Sequence, residues 1–320
     1  MYYRGKSLYR TRTLFLLFFV SCAVSAGTVD IWLDKMGAAQ SQQNYQGTLI
    51  IRQNDKMQAI KVKQGVHAGE SWQSLESQTG EDQIIFRKNG QVTTIFPAKK
   101  LITVSAAMGR ESKGPLHPAL PKNRDKLKQL YDLKLGSEER VANKITQIVK
   151  MIPRDMHRYG YTFWLDKQSG LLLKCDLINN KGRVLEQLMY SDIELLSTAP
   201  PNKFDESKVM AYKKVMLSDK ADANSKKWYA KKIPTGFVVT RSVKNAQKKS
   251  SYHIVFSDGM ASVSVFIEPA KEKQKSMLGG STMGPVNAYS SLVDDTYVTA
   301  IGEVPASTVR MIAQSIQPAQ

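Results

Sequence analysis

Histidine spacing is the first test for chemistry, and it argues against a metal centre. His67, His117, His157 and His253 stand alone, with no second His or Cys at ligand spacing. There is no G-x-S-x-G elbow, glycine-rich phosphate loop or H-E-x-x-H sequence. Asp294 and Asp295 are adjacent carboxylates, but they fall where a hairpin turn is expected, and turn formation accounts for them better than acid–base work. Only a Ser/His/Asp set gathered from distant positions would escape this test, and such sites need several convergent polar groups. The expectation is a protein without catalytic residues, metal or cofactor.

Two stretches carry residue types suited to binding instead. In Lys226-Lys227-Trp228-Tyr229-Ala230-Lys231-Lys232, cations and aromatics interleave, and Arg241 follows nearby. Such a segment could dock an acidic peptide or a lipid head group, with Lys227, Trp228, Tyr229, Lys231, Lys232 and Arg241 as partner-binding candidates. The alternative is structural: Trp228 and Tyr229 anchor the start of a domain while the lysines are solvated. In the second stretch, Tyr159, Tyr161, Phe163 and Leu165 recur with period two. They either line an apolar cavity for acyl chains or pack as ordinary core.

The N-terminus bears on the compartment. Arg4, Lys6, Arg10 and Arg12 precede an apolar run from Leu14 to Val20 and a Val24-Ser25-Ala26 site, the pattern of a secretory signal peptide cleaved after Ala26. The run falls short of the roughly 20 residues needed to span a bilayer. A competing reading is lipidation on Cys22, since Phe19-Val20-Ser21-Cys22 loosely resembles a lipobox. Export leads to the periplasm, where the charge of +14 left once Arg4, Lys6, Arg10 and Arg12 are removed from the full sequence's +18 points to acidic protein segments or phosphorylated lipids rather than nucleic acid. Cleavage would leave Cys175 without an intramolecular disulfide partner. The core must then hold the fold, and a homo-oligomer remains compatible with the sequence.

Thr28 is expected to cap a helix carrying Val29, Trp32, Leu33 and Met36 on one face. From Tyr45 the period becomes two, and Asn89-Gly90 marks a hairpin between 83–87 and 92–96. A break at 114–121 and a short helix near Leu127–Tyr131 precede a strand meander from Lys144 to Leu195. The polar stretch 203–227 reads as a linker with a short helix near 209–217. Further strands are expected at 237–241, 252–257, 261–267, 286–292 and 297–302, a polar loop at 269–285, and a closing helix after Pro305. The division is a signal peptide at 1–26, a large domain at 27–202, a linker at 203–227 and a small domain at 228–320.

Several of these segments resemble one family. Arg158-Tyr159-Gly160-Tyr161-Thr162-Phe163-Trp164-Leu165-Asp166, Gly170 to Leu177 and Leu185-Glu186-Gln187 look like the core of a MucB/RseB N-terminal domain. Ile233-Pro234-Thr235-Gly236-Phe237, Phe256 to Val265 and Ile301-Gly302-Glu303-Val304-Pro305 are similar to that family's C-terminal patterns. The motifs occur in the family's order over about half of the chain. Leu75 to Gly80 departs, standing where relatives carry a D-G-P segment. The resemblance implies an α+β fold: a large half-barrel antiparallel sheet with helices, like a lipoprotein carrier, plus a smaller α+β domain. It also implies binding to the periplasmic domain of a transmembrane anti-sigma factor, protection of that factor from proteolysis, and release by lipopolysaccharide or mislocalised lipoproteins. A lipid or lipoprotein carrier of the same half-barrel is the alternative.

Overall fold

Apolar spacing at three and four residues gives way to strict alternation at Tyr45, and the chain changes from helix to sheet there. The computed structural model describes Met1 and residues 26–106, 120, 124–201, 209–217, 221–223, 227–245, 251–270 and 278–319. The expected signal peptide, Cys22 and most of the 114–121 break lie outside these residues. Helix α1 (Ala26–Gln42) buries Val29, Leu33, Met36 and Ala39. It begins two residues before Thr28, so Thr28 lies inside the helix rather than capping it. No helix among the described residues is long and apolar enough to cross a membrane.

A first meander follows: β1 (Asn44–Gln53), β2 (Lys56–His67), β3 (Glu70–Ser77), β4 (Ile84–Lys88), β5 (Gln91–Phe96) and β6 (Leu101–Ala106). Asn89 and Gly90 both take positive φ, 50° and 70°, as the tight turn between β4 and β5 requires. Helix α2 (Arg124–Leu130) leads to a second meander of β7 (Tyr131–Val141), β8 (Lys144–Pro153), β9 (Gly160–Asp166), β10 (Leu172–Ile178) and β11 (Val184–Leu196). β1 pairs with β11, fusing both meanders into one open sheet with β7 at an edge.

The stretch expected to be a linker is built into this architecture. Residues expected to be a short helix near 209–217 form a turn and then β12 (Lys213–Leu217), which runs parallel to β6 and completes a 12-stranded sheet. Shortly after, β13 (Ala221–Ala223) pairs with β15 (Val238–Asn245), beyond β14 (Trp228–Ala230). Lys213 and Lys214 lead into Val215, Met216 and Leu217, and lysines at the start of a short strand fit a sheet edge as well as a polar tether.

Cross-strand register assigns the two faces of the large sheet, because directly paired residues share a face. Tyr45, Gln64, Gln73 and Arg87 form one row across β1 to β4. Tyr45 and the Gln73 amide donate to Gln64 Oε1, and Arg87 donates to Gln73 at 3.0 Å. The Gln64 amide in turn donates to the Gln40 carbonyl of α1. This is the helix side, and it carries the main core. The neighbouring row, Gly65, Trp72, Lys88 and Gln91, points the other way. Trp72 lies so close over Gly65 that a Cβ there would stand 2.5 Å from the indole nitrogen.

The remaining strands, β16 (Tyr252–Ser257), β17 (Ser262–Pro269), β18 (Gly279–Met283), β19 (Val286–Val293) and β20 (Thr296–Gly302), complete a seven-stranded antiparallel sheet. β18 falls inside the stretch expected to be a polar loop, where Gly279-Gly280-Ser281-Thr282 gives little strand signal. Helix α3 (Ala306–Ser315) packs Val309, Ile312 and Ala313 onto one face of this sheet, and β21 (Ile316–Pro318) pairs with β14. Among the described residues the whole is α+β: a large unclosed sheet with α1 and α2, a smaller one with α3, and the two-stranded β14–β21 ribbon.

Candidate functional site

The site with the most specific geometry is the seam between the two sheets. The chain turns sharply after β8, and Arg158 enters the seam with 0% of its side chain exposed. A guanidinium there needs its donors filled, because a buried unpaired charge is expensive. Its Nε and Nη2 donate to the two oxygens of Asp155 at 3.1 and 3.0 Å. Nη2 also donates to the Thr235 carbonyl at 2.6 Å, and Nη1 donates to Asp258, itself 0% exposed. The ring of Phe237 lies 5.4 Å from the guanidinium carbon, and that of Tyr131 lies 6.0 Å away.

Asp258 is fixed from its own side. Its Oδ1 accepts the amide protons of Met260 and Ala261, both at 2.8 Å, leaving Oδ2 for Arg158. Met260 then packs with the core of the large sheet. Nearby, Asn287 donates to both the Tyr159 hydroxyl and the Val304 carbonyl, and the hydroxyl itself donates to Val304. Thr308 donates to the His157 carbonyl at 3.0 Å. Gly236 adopts φ +86° against Leu130, an approach too close for a Cβ. Chemically the cluster holds; it offers no activated nucleophile or base. For Asp155, burial alone would raise the pKa. The bonds from Arg158 and the His157 amide, with the guanidinium charge, outweigh burial and hold the carboxyl below its ordinary value.

The structure separates the candidates for partner binding. Trp228 is half-buried against the small-sheet core, while Tyr229 stays 46% exposed and donates to Gln317 at 3.4 Å. Their backbone is tied down: Ala319 donates to the Lys227 carbonyl, Lys231 to the Ser315 carbonyl, and the Ser315 hydroxyl to the Lys232 carbonyl. Lys227, Lys231 and Lys232 remain exposed on this ribbon. Arg241 is half-buried on β15 opposite Val255. The geometry therefore favours the anchoring role for Trp228 and leaves Tyr229 and the lysines as surface. Trp228→Ala should lower stability by about 2 kcal/mol, the range for a partly buried aromatic, while Tyr229→Ala leaves the thermal midpoint unchanged. Melting curves of both variants check this.

The four aromatic and aliphatic candidates on and beside β9 are all buried. Tyr161, Phe163 and Leu165 are buried in the main core, and every residue of β9 is buried. Tyr159 is buried at the seam. Side chains from α1 and neighbouring strands share this core cluster, which favours ordinary core packing for this face. Among the described residues, no group of three His, Cys, Asp or Glu could hold a metal.

Reading the sequence missed the seam as a site. Arg158, Tyr159, Thr235, Asp258 and Val304 all lie inside the recognisable motifs, but nothing local shows that Arg158 and Asp258 meet. Asn287 carries no signal of its own.

Comparison with known proteins adds to this geometry. The model described as the MucB/RseB N-terminal domain matches residues 28–208, and the MucB/RseB C-terminal domain matches residues 222–317. Sigma factor AlgU regulatory protein MucB of Pseudomonas aeruginosa is 30% identical over 323 residues, covering 97% of this chain and 98% of that protein. Sigma-E factor regulatory protein RseB of Haemophilus influenzae is 24% identical, covering 89% and 90% respectively. The complex structure of Pseudomonas aeruginosa MucA/MucB matches with a TM-score of 0.70 at 27% identity, covering 92% of this chain and 99% of that one. MucB in complex with MucA(peri) matches with a TM-score of 0.68.

Proposed function

Since the chain belongs to the MucB/RseB family, we propose that it is a non-catalytic periplasmic regulator that binds the periplasmic part of an anti-sigma factor. One observation carries the reading: the likeness runs through both sheets to a relative named as a sigma factor regulatory protein, and extends to a structure solved with MucA(peri). In this reading the N-terminal segment is a signal peptide cleaved after Ala26, and 27–202 and 228–320 are domains joined through 203–227. Bound regulator shields the anti-sigma factor from proteolysis, and lipopolysaccharide or mislocalised lipoproteins release it. The burial of Tyr161, Phe163 and Leu165 within the main core weighs against the carrier alternative.

A mature charge of +14, the +18 of the full sequence less Arg4, Lys6, Arg10 and Arg12, favours an acidic, extended partner segment, and the exposed Tyr229, Lys227, Lys231 and Lys232 offer it a basic rim. Surface plasmon resonance between the exported chain and the periplasmic region of the cognate anti-sigma factor tests the function. Saturable binding is expected. Reversing Lys231 and Lys232 to Glu should slow association about tenfold and flatten its salt dependence, with little change in dissociation. No complex at a concentration of about 100 μM, far weaker than specific partners bind, would remove the proposal. A complex indifferent to the reversal would remove only this surface.

A further inference from the structure

The face of the large sheet turned away from α1 carries a cavity of about 610 Å3, well within the range of small-molecule sites. Its floor follows from register. Phe86, Thr93 and Val104 form one row across β4, β5 and β6, and Ile84, Ile95 and Ile102 form the next. On the other side of Phe86 and Thr93 lie Lys88 and Gln91, joined by the Asn89-Gly90 turn. The roof is the turn before β12, where Val209 and Tyr212 pack on Ile95, Ile102 and Val104 as a core cluster of their own. Met210 stands 83% exposed at the edge of that roof.

Polarity is graded along this cavity. Lys88, Asn89 and Gln91 stand together at the turn end, Thr93 sits midway, and the walls beyond are Phe86, Ile102, Val104, Val209 and Tyr212. Lys214 lies on the far rim, on the edge strand. From the lysine row to the isoleucine row is four residues of strand, about 13 Å. We propose that this outer-face cavity binds a single-chain amphiphile with an anionic head, the head at Lys88, Asn89 and Gln91 and the chain under Val209 and Tyr212. The site is distinct from the packed inner face and does not rest on the partner reading. The roof leads directly into β12, the edge strand of the large sheet.

One acidic neighbour sharpens the test. Glu70 holds Lys88 at 3.3 Å and accepts from Asn89 at 3.4 Å, in an exposed cluster that an incoming anion would displace. Removing Glu70 should therefore help the ligand, and removing Lys88 should harm it.

Calorimetric titration of the full chain with decyl phosphate, kept below its micelle concentration, should give one saturable site. Decyltrimethylammonium should bind at least tenfold more weakly. Hexyl phosphate should also bind more weakly, since each methylene that reaches apolar wall is worth about fourfold. Lys88→Gln should weaken decyl phosphate severalfold and Glu70→Gln should tighten it, while Lys231→Gln on the distant ribbon changes nothing. Thr93→Trp, which fills the middle of the cavity, should abolish binding with the melting temperature retained. Should that variant not fold, the exposed Lys88 and Glu70 changes decide alone. Absence of saturable binding, equal affinity for the cationic amphiphile, or equal effects of Lys88→Gln and Lys231→Gln would each overturn the proposal.

Discussion

Replacing Asp258 by alanine is expected to destabilise the protein by about 3–5 kcal/mol, because it removes the carboxylate from Nη1 of a wholly buried guanidinium and leaves Asp155 as its remaining anionic partner. Arg158 is wholly buried, and Asp258 supplies the partner for its Nη1. The same substitution frees the amide protons of Met260 and Ala261, which loosens the turn that delivers Met260 to the large core. Arg158→Met in the Asp258→Ala background should recover part of the loss, since neutralising both partners is far less costly than orphaning one. Urea denaturation of the two single variants and the double variant measures the coupling. A loss below about 1 kcal/mol for Asp258→Ala would mean that the seam opens and hydrates Arg158 at little cost. Asp155 adds a pH signature. Its depressed pKa contributes stability above the unfolded value, near 4, and that contribution disappears as pH falls through the lower folded value. Wild-type stability should accordingly fall more steeply than that of Asp155→Asn when pH drops below about 4.

Elements whose logic is local were legible in the sequence. The Asn89-Gly90 hairpin, the β8-to-β11 meander and the closing helix with Val309, Ile312 and Ala313 inward all follow from turn chemistry and periodicity. Elements decided by distant partners were not. β12 exists because the exposed edge of β6 accepts it, and a run as short and lysine-rich as Lys213–Leu217 has no strand identity without that edge. β18 likewise depends on β19, since glycine, serine and threonine supply no apolar face of their own. Candidate sites follow the same division. Lys231 and Lys232 could be placed on the surface from charge alone. The Arg158–Asp258 pair joins residues 100 positions apart, and the outer cavity needs a roof from a segment read as tether. The motifs nonetheless mark the place: Arg158 and Asp258 meet there by side chain, while Thr235 and Val304 lend only their backbone carbonyls.

Phe163→Ala is expected to be the other severe substitution, at about 3–5 kcal/mol, the usual range for a buried aromatic cut back to a methyl. Phe163 has 0% exposure, stacks on Tyr161 with ring centres 5.7 Å apart, and pairs across the sheet with Val149 and Cys175. If the inner face instead held acyl chains, the same truncation would enlarge a site that already exists. Stability would then change little, and acyl affinity would rise. A packed core makes the opposite forecast: a large stability loss, with the new void able to accept only small apolar probes such as benzene. Denaturation measures the first quantity, and decyl phosphate titration of the folded variant measures the second. The outer cavity lies across the sheet from this core, so decyl phosphate affinity should stay at its wild-type value even as stability falls. A Phe163→Ala protein of normal stability that gains acyl affinity would move the ligand site to the inner face and return Tyr161 and Leu165 to its lining.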